Sequence, residues 1–269
     1  MTLLVRDEED ILRSNIDFHL AQGVDFIVAT DNKSEDSTTA ILKDYEQKGL
    51  LHYIYEGTDD YMQTEWVTRM AKLAHDEYQA DWVINNDADE FWWPAEGDLR
   101  STFEAVPQDV NILSAGRYNF VPVENEDDPF YDTMIYREKV SLNTKGRPLP
   151  PKVAHRGYAD IVVGQGNHGV WGFDAPKTAV GLIEIAHYPV RSYAQLTNKI
   201  IKGGQAYERN KKLGKGTGDT WRALYKQYQR NGLVRWYKKQ QYNQRQIEKG
   251  LKKGKLLRDN SLSEYLRSH

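Results

Sequence analysis

The hydrophobic pattern of the first hundred residues alternates short apolar runs with longer stretches at helical spacing. Leu3-Leu4-Val5 is such a run. Ile11, Leu12, Ile16 and Leu20 then recur on one helix face, and Gly23 closes that helix. Residues 25–29 read as a second strand. Residues 31–36 form a turn, from which Asp36 or Ser37 can cap a helix carrying Ile41, Leu42 and Tyr45. A third strand is expected at 50–55, a helix at 62–78 and a fourth strand at 82–86. Strands alternating with helices of this length imply a mostly parallel sheet with right-handed crossovers. Ligands bind beyond the carboxyl ends of such strands. Three polar clusters fall there: Arg6-Asp7-Glu8, the 31–36 turn, and Asp87-Ala88-Asp89-Glu90.

The rest is less regular. Strands are expected at 111–121 and 134–142, a Pro-containing loop at 146–151, and a Gly-rich loop at 164–172 that holds His168 and Trp171. A late strand at 178–187 ends in His-Tyr-Pro, and from residue 192 the chain turns helical, polar and basic, with a flexible break at 211–218. The division expected is a catalytic domain over 1–198 and a basic helical extension over 199–269.

Charge sharpens that division. Residues 199–269 carry 19 Lys and Arg against 5 Asp and Glu, a net of +14, which leaves −17 on residues 1–198 of a chain whose net charge is −3. An acidic first part suits a cation-using site, and a basic tail suits an anionic partner or a solvated helix face. Trp221, Tyr225, Tyr228, Trp236 and Tyr237 recur among the tail's Lys and Arg. They can pack on the catalytic domain, lay residues 219–269 on an anionic membrane surface, or do both. With no Cys, disulfides and thiolate-zinc sites are excluded. No leader pattern opens the chain and no apolar stretch reaches membrane-spanning length. The expectation is a cytoplasmic protein, peripheral on the inner membrane face.

Carboxylates at i and i+2 just past a buried strand can converge on a hard cation, and Mg²⁺ or Mn²⁺ held by one or two carboxylates takes further oxygens from substrate phosphates. Asp87 and Asp89 have that spacing, and Phe91-Trp92-Trp93 behind them could wall a pocket. The alternative is an acidic turn in water.

The run Val5-Arg6-Asp7-Glu8-Glu9-Asp10-Ile11-Leu12, then Gly23-Val24-Asp25, the stretch from Asp31 to Thr38, and Asp87-x-Asp89 together resemble the nucleotide-sugar-binding half of family 2-type glycosyltransferases of the GT-A fold. Asp89-Glu90-Phe91 and His187-Tyr188-Pro189-Val190-Arg191-Ser192-Tyr193 are more similar to the branch that includes glycosyltransferase family 92. Asp7 departs from the Asn common there. The resemblance implies a Rossmann-like, mixed and mostly parallel sheet flanked by helices, with a helical C-terminal extension. It implies metal-dependent transfer of a sugar, with inversion, from a UDP-type donor to a hydroxyl of a glycan or glycolipid, as in polysaccharide or lipopolysaccharide assembly.

By the same resemblance, Asp31 would contact the base, and Arg6, Glu8 and Asp36 would lie near the nucleotide. Asp87 and Asp89 would meet ribose and Mn²⁺ or Mg²⁺, with His187 completing the metal site and His168 as its rival. Glu90 and Asp174 are candidate bases, and Lys152, Arg156 and Arg191 candidate phosphate contacts.

Three other readings fit less well. An aspartyl phosphohydrolase needs its D-x-D near the first strand, with Thr where this chain has Phe91. A sugar-1-phosphate nucleotidyltransferase needs a Gly-rich loop where Arg6-Asp7-Glu8-Glu9 stands. A catalytically inactive carbohydrate- or nucleotide-binding protein of the same fold would not need Asp87, Asp89 and His187. No nucleic-acid partner is expected.

Overall fold

The computed structural model describes residues 1–59, 62–124, 128–143, 146–210 and 218–268. Apart from Gly218, the expected break at 211–218 lies outside them.

The chain opens with β1 (Thr2–Val5), α1 (Leu12–Ala21), β2 (Ile27–Asp31), α2 (Thr38–Gln47), β3 (Leu51–Tyr55), α3 (Gln63–Asp76) and β4 (Trp82–Asp87). It continues through β5 (Glu90–Pro94), α4 (Leu99–Glu104), β6 (Ile112–Asn119), α5 (Phe130–Thr133), β7 (Tyr136–Glu138), β8 (Lys152–Arg156), β9 (Val162–Val163), β10 (Val170–Trp171) and β11 (Thr178–His187). The last elements are α6 (Tyr193–Arg209), α7 (Asp219–Gln229), α8 (Leu233–Gln240), α9 (Gln244–Lys252), β12 (Leu256–Arg258) and α10 (Ser261–Ser268).

Two compact units result. The first comprises Met1–Thr58, Met62–Arg117 and Leu149–Ala186; the second holds the described residues of Tyr118–Pro148 and His187–His269, with Asp59. These spans do not coincide with a division at 198/199, because residues 118–148 and the start of α6 group with the tail.

The main sheet has the order β3-β2-β1-β4-β8-β6-β11-β5 and helices around it, the mixed α/β class expected. Strands β3, β2, β1 and β4 are mutually parallel, while β8 runs antiparallel to both β4 and β6. In the first unit, α3 presents Val67, Met70, Ala71 and Ala74 to Val28, Val83, Ile161 and Val163, all fully or nearly enclosed. Burying each Val, Ile or Met side chain of this cluster contributes about 1.5–3 kcal/mol, and this packing fixes α3 against the parallel strands.

The second unit has its own core. Leu196 and Ile200 of α6 pack with Leu224, Tyr225, Leu233 and Tyr237, and Trp221, Tyr228 and Trp236 close around them. A methyl group at Gly204 would stand 2.5 Å from Tyr225 Cβ, and one at Gly203 would stand 2.7 Å from Trp221, so the glycine pair lets α7 approach α6 closely. The tail's aromatics therefore belong to the second unit's own core.

Three expected elements change. Strand β2 ends at Asp31 rather than residue 29, because Asp31 pairs in register with both Val5 and Tyr55. The strand sought at 134–142 shortens to β7, whose partner β12 offers only three register pairs. The acidic motif is not a loop leading into a pocket wall. Asp87 ends β4, Ala88 and Asp89 make the turn, and Glu90 begins β5, whose Phe91 and Trp92 are fully buried.

Candidate functional site

Strands β1, β2 and β4 are adjacent and parallel, so the segments after Val5, Asp31 and Asp87 lie on one rim of the first unit. The first two are joined directly. Asp7 N–H donates to Ser34 Oγ at 3.0 Å, Glu35 N–H to Asp7 Oδ1 at 2.7 Å, Glu8 N–H to Thr38 Oγ1 at 2.9 Å and Ser37 N–H to Glu9 Oε2 at 2.8 Å. Asp7 and Lys33 take left-handed backbone conformations, with φ of 53° and 57°, to make these turns. Arg6 reaches Asn32 Oδ1 at 3.5 Å, and Glu8 is buried at the start of α1, its carbonyl accepting from Ile11 and Leu12 N–H. Asp36 accepts from Glu9 N–H at 3.1 Å and Thr38 N–H at 2.9 Å, which is turn and cap chemistry.

Asp31 is fully buried. Its Oδ1 accepts from Ser34 N–H at 2.9 Å, and its Oδ2 accepts from Thr39 Oγ1 at 2.5 Å and Tyr53 OH at 3.2 Å. Both oxygens hold the loop's own conformation.

Ions balance the acidic turn. Lys152, at 1% exposure on β8, pairs with Asp87 and lies 3.3 Å from Glu90 Oε1. Arg117, at the end of the first unit's part of β6, reaches the same Glu90 oxygen at 3.0 Å and fixes its own Nε on Pro150 O at 3.1 Å. Asn167 Nδ2 donates to Asp87 Oδ1 at 3.2 Å. Glu90 Oε2 is buried with no hydrogen-bond partner, as is Asn167 Oδ1. Burial pushes the Glu90 carboxyl up to about 7 despite the opposing charges of Lys152 and Arg117. Asp89 is 5% exposed, and it and Glu90 each offer a carboxylate oxygen within 4.8 Å of the other.

An amide network holds this turn from behind. Asn15 Nδ2 of α1 donates to Glu90 O at 2.7 Å, Asn86 Nδ2 donates to Asn15 Oδ1 at 3.0 Å, and Trp92 Nε1 donates to Asn86 Oδ1 at 3.0 Å. His19 donates from Nδ1 to Asn15 O at 2.7 Å, and its Nε2 accepts from Trp92 N–H at 3.3 Å. Enclosure lowers the His19 pKa to about 3, so the ring is neutral and keeps this tautomer.

His168 sits on the turn between β9 and β10. Its Nδ1 donates to Pro151 O at 2.8 Å, which leaves Nε2 as the acceptor, and a Cβ on Gly166 would meet that atom at 2.7 Å. The side chain is exposed, yet desolvation by the surrounding protein, joined by the charge of Lys152, lowers its pKa to about 4.

Asp174 is exposed between β10 and β11, and no hydrogen bond among the described residues ties it to the acidic turn. Arg156 caps the carbonyls of Val106, Pro107 and Val110 and stacks on Trp82, so its guanidinium is structural. In the second unit, His187 ends β11 with Nδ1 2.7 Å from Asn119 Oδ1. Arg191, also buried there, donates to Tyr188 O at 3.0 Å.

Sequence reasoning overlooked Arg117, Asn167, Asn15 and His19. Asn85-Asn86 inside an apolar strand was a usable signal, because buried amides require partners.

Residues 2–231 match the profile of glycosyltransferase family 92. The chain belongs to that family and is a glycosyltransferase. No curated protein matches it significantly. Among solved structures, S. aureus TarS 1–349 in complex with UDP aligns at 13% identity over 86% of this chain and 71% of that one, with a TM-score of 0.45. The mannosyltransferase PcManGT from Pyrobaculum calidifontis, in complex with GDP-Man and Mn²⁺, aligns at 14% identity over 87% and 71%, with a TM-score of 0.36.

Proposed function

We propose that this glycosyltransferase moves a sugar, with inversion, from a UDP-linked donor to a hydroxyl of a glycan or glycolipid. The observation that carries this reading is the shared rim of β1, β2 and β4, which collects the Arg6–Glu8, Asp31–Asp36 and Asp87–Glu90 segments in one unit of a family 92 chain. Parallel sheets bind nucleotides at such rims.

Residues at the turn fit a divalent cation. Asp89 and Glu90 supply hard oxygens, and the partnerless Glu90 Oε2 lacks the hydrogen bond that a buried carboxylate oxygen otherwise needs. These two would hold Mn²⁺ or Mg²⁺, which when bound neutralises charge on a departing diphosphate. The chain's own share of the work is electrostatic and positional. Lys152 and Arg117 hold fixed positive charge beside the turn, worth more in a dry site than in water. Asn15 fixes the Glu90 backbone, so the carboxylates keep their aim. Asp31 acts on the nucleotide through the loop it holds, by backbone groups rather than by a free carboxylate.

Glu90 is fully enclosed, so an acceptor hydroxyl does not reach it, whereas Asp174 is open to one. We assign the base to Asp174. Asp174→Asn is expected to cut kcat by roughly a hundredfold with the donor KM little changed; equal kcat removes the assignment.

The test of the whole reading is a panel of nucleotide sugars with Mn²⁺ and with chelator, scored by thermal shift and slow donor hydrolysis. A UDP-sugar near a hundred times its Kd stabilises the fold by about 2.7 kcal/mol. Stabilisation by no nucleotide sugar overturns the proposal. Binding without hydrolysis or transfer identifies an inactive binding protein instead.

A further inference from the structure

The second unit contains a groove whose lining includes none of the candidate donor or metal residues. Its volume is about 710 Å³, and its walls come from β7 and the segment after it, the end of α8, α9 and β12. Five lysines line it: Lys139, Lys239, Lys249, Lys253 and Lys255. All are exposed, and none pairs with a described carboxylate. Glu138 is the one acidic residue in the lining; it is partly enclosed, accepts from Asn119 Nδ2 at 3.2 Å, and has its pKa raised by burial. The frame is fixed, since β12 pairs with β7 and Lys139 N–H donates to Lys255 O at 2.9 Å.

Two apolar side chains stand on the rim of this cationic groove, Val140 at 61% exposure and Leu142 at 49%. A soluble anion would use the lysines and leave these two in water. An anionic bilayer uses both, with headgroup phosphates against the ammonium groups and the apolar pair in the interfacial layer. The aromatics of α7 and α8 are spent on the unit's own core, so they do not compete for this role. We propose that the groove formed by β7, α9 and β12 docks the protein on an anionic phospholipid surface, with Val140 and Leu142 inserted. This binding site is independent of the donor site.

The test uses the full chain and sedimentation with vesicles of pure phosphatidylcholine or an equal mixture of phosphatidylcholine and phosphatidylglycerol. Wild-type protein is expected on the mixed vesicles only, with binding weakened by salt. Each lysine at an anionic surface strengthens binding by roughly fivefold, so K239E/K249E/K253E/K255E is expected to lose well over tenfold. V140S/L142S is expected to lose a few-fold at every salt concentration, because its contribution is apolar. Melting temperatures check that the variants are folded, and K239Q/K249Q/K253Q/K255Q repeats the test with neutral side chains should charge reversal impair folding. Thermal shift by UDP on the same samples is expected to be the same in every variant, so failure at the donor site is read separately. Three results overturn the proposal: no wild-type binding to mixed vesicles, undiminished binding by the charge variants, or release from vesicles by millimolar inorganic phosphate, which would mark a soluble-phosphate site.

Discussion

Two acidic segments on the same rim use their carboxylates in opposite ways. Asp31 is enclosed by neutral donors, Ser34 N–H, Thr39 Oγ1 and Tyr53 OH, and its charge is used to hold a loop. Asp87 and Glu90 instead lie against full positive charges, Lys152 and Arg117, and one Glu90 oxygen is left without a hydrogen bond. The lesson is that carboxylates at equivalent strand ends are told apart by what satisfies them. One filled by neutral donors is architecture, and one held by buried cations with an oxygen to spare is prepared for further chemistry.

The largest expected effect comes from removing the cation between Asp87 and Glu90. Lys152→Met should cost about 3–5 kcal/mol, because two carboxylates lose the charge that balances them in an enclosed site. Urea unfolding measures this, and a loss near zero would erase the contrast with Asp31. Asp89→Ala should lower Mn²⁺-dependent turnover by roughly a hundredfold or more. Full turnover in that variant would remove the turn from the metal site.

Asp31→Asn should cost about 1–3 kcal/mol by disturbing three buried hydrogen bonds. If UDP affinity measured by calorimetry falls while stability holds, Asp31 contacts the base directly and the contrast fails.

The subtlest effect is in pH. Glu90 ionises near 7 in the folded protein against an ordinary value of 4.5. Between these values the folded state binds the extra proton, so this group's contribution to stability is complete at acid pH and is lost as pH rises through 7. In metal-free protein, the melting temperature of Glu90→Gln relative to wild type should therefore rise between about pH 5 and 7.5. A flat difference would mean that Lys152 and Arg117 fully offset the burial.

The alternating β/α order up to β4 was legible because its helices keep one apolar face, as with Leu12 and Ile16 of α1, and its strands are short apolar runs, as with Ile27, Val28 and Ala29 of β2. Strands β5 and β8 were not. Strand β5 starts with a charged Glu90 directly after a turn, and β8 carries Lys152 and His155 facing the interior, where hydrophobic patterning puts apolar residues. Both strands make sense only together, since the lysine on one answers the carboxylate on the other. The acidic turn itself was visible as a motif. Its cations, Lys152 on a strand that was not foreseen and Arg117 on β6, come from distant parts of the chain, and sequence spacing says nothing of such pairings.

Asn15 and His19 lie some seventy positions upstream of the residues they hold, yet they grip the main chain at Glu90 and Trp92. The first helix is thus a foundation of the acidic turn and not only an outer layer. Screens for inactivating changes should score its inner face alongside the acidic motif, and grafts of the motif onto another scaffold should carry this helix with it.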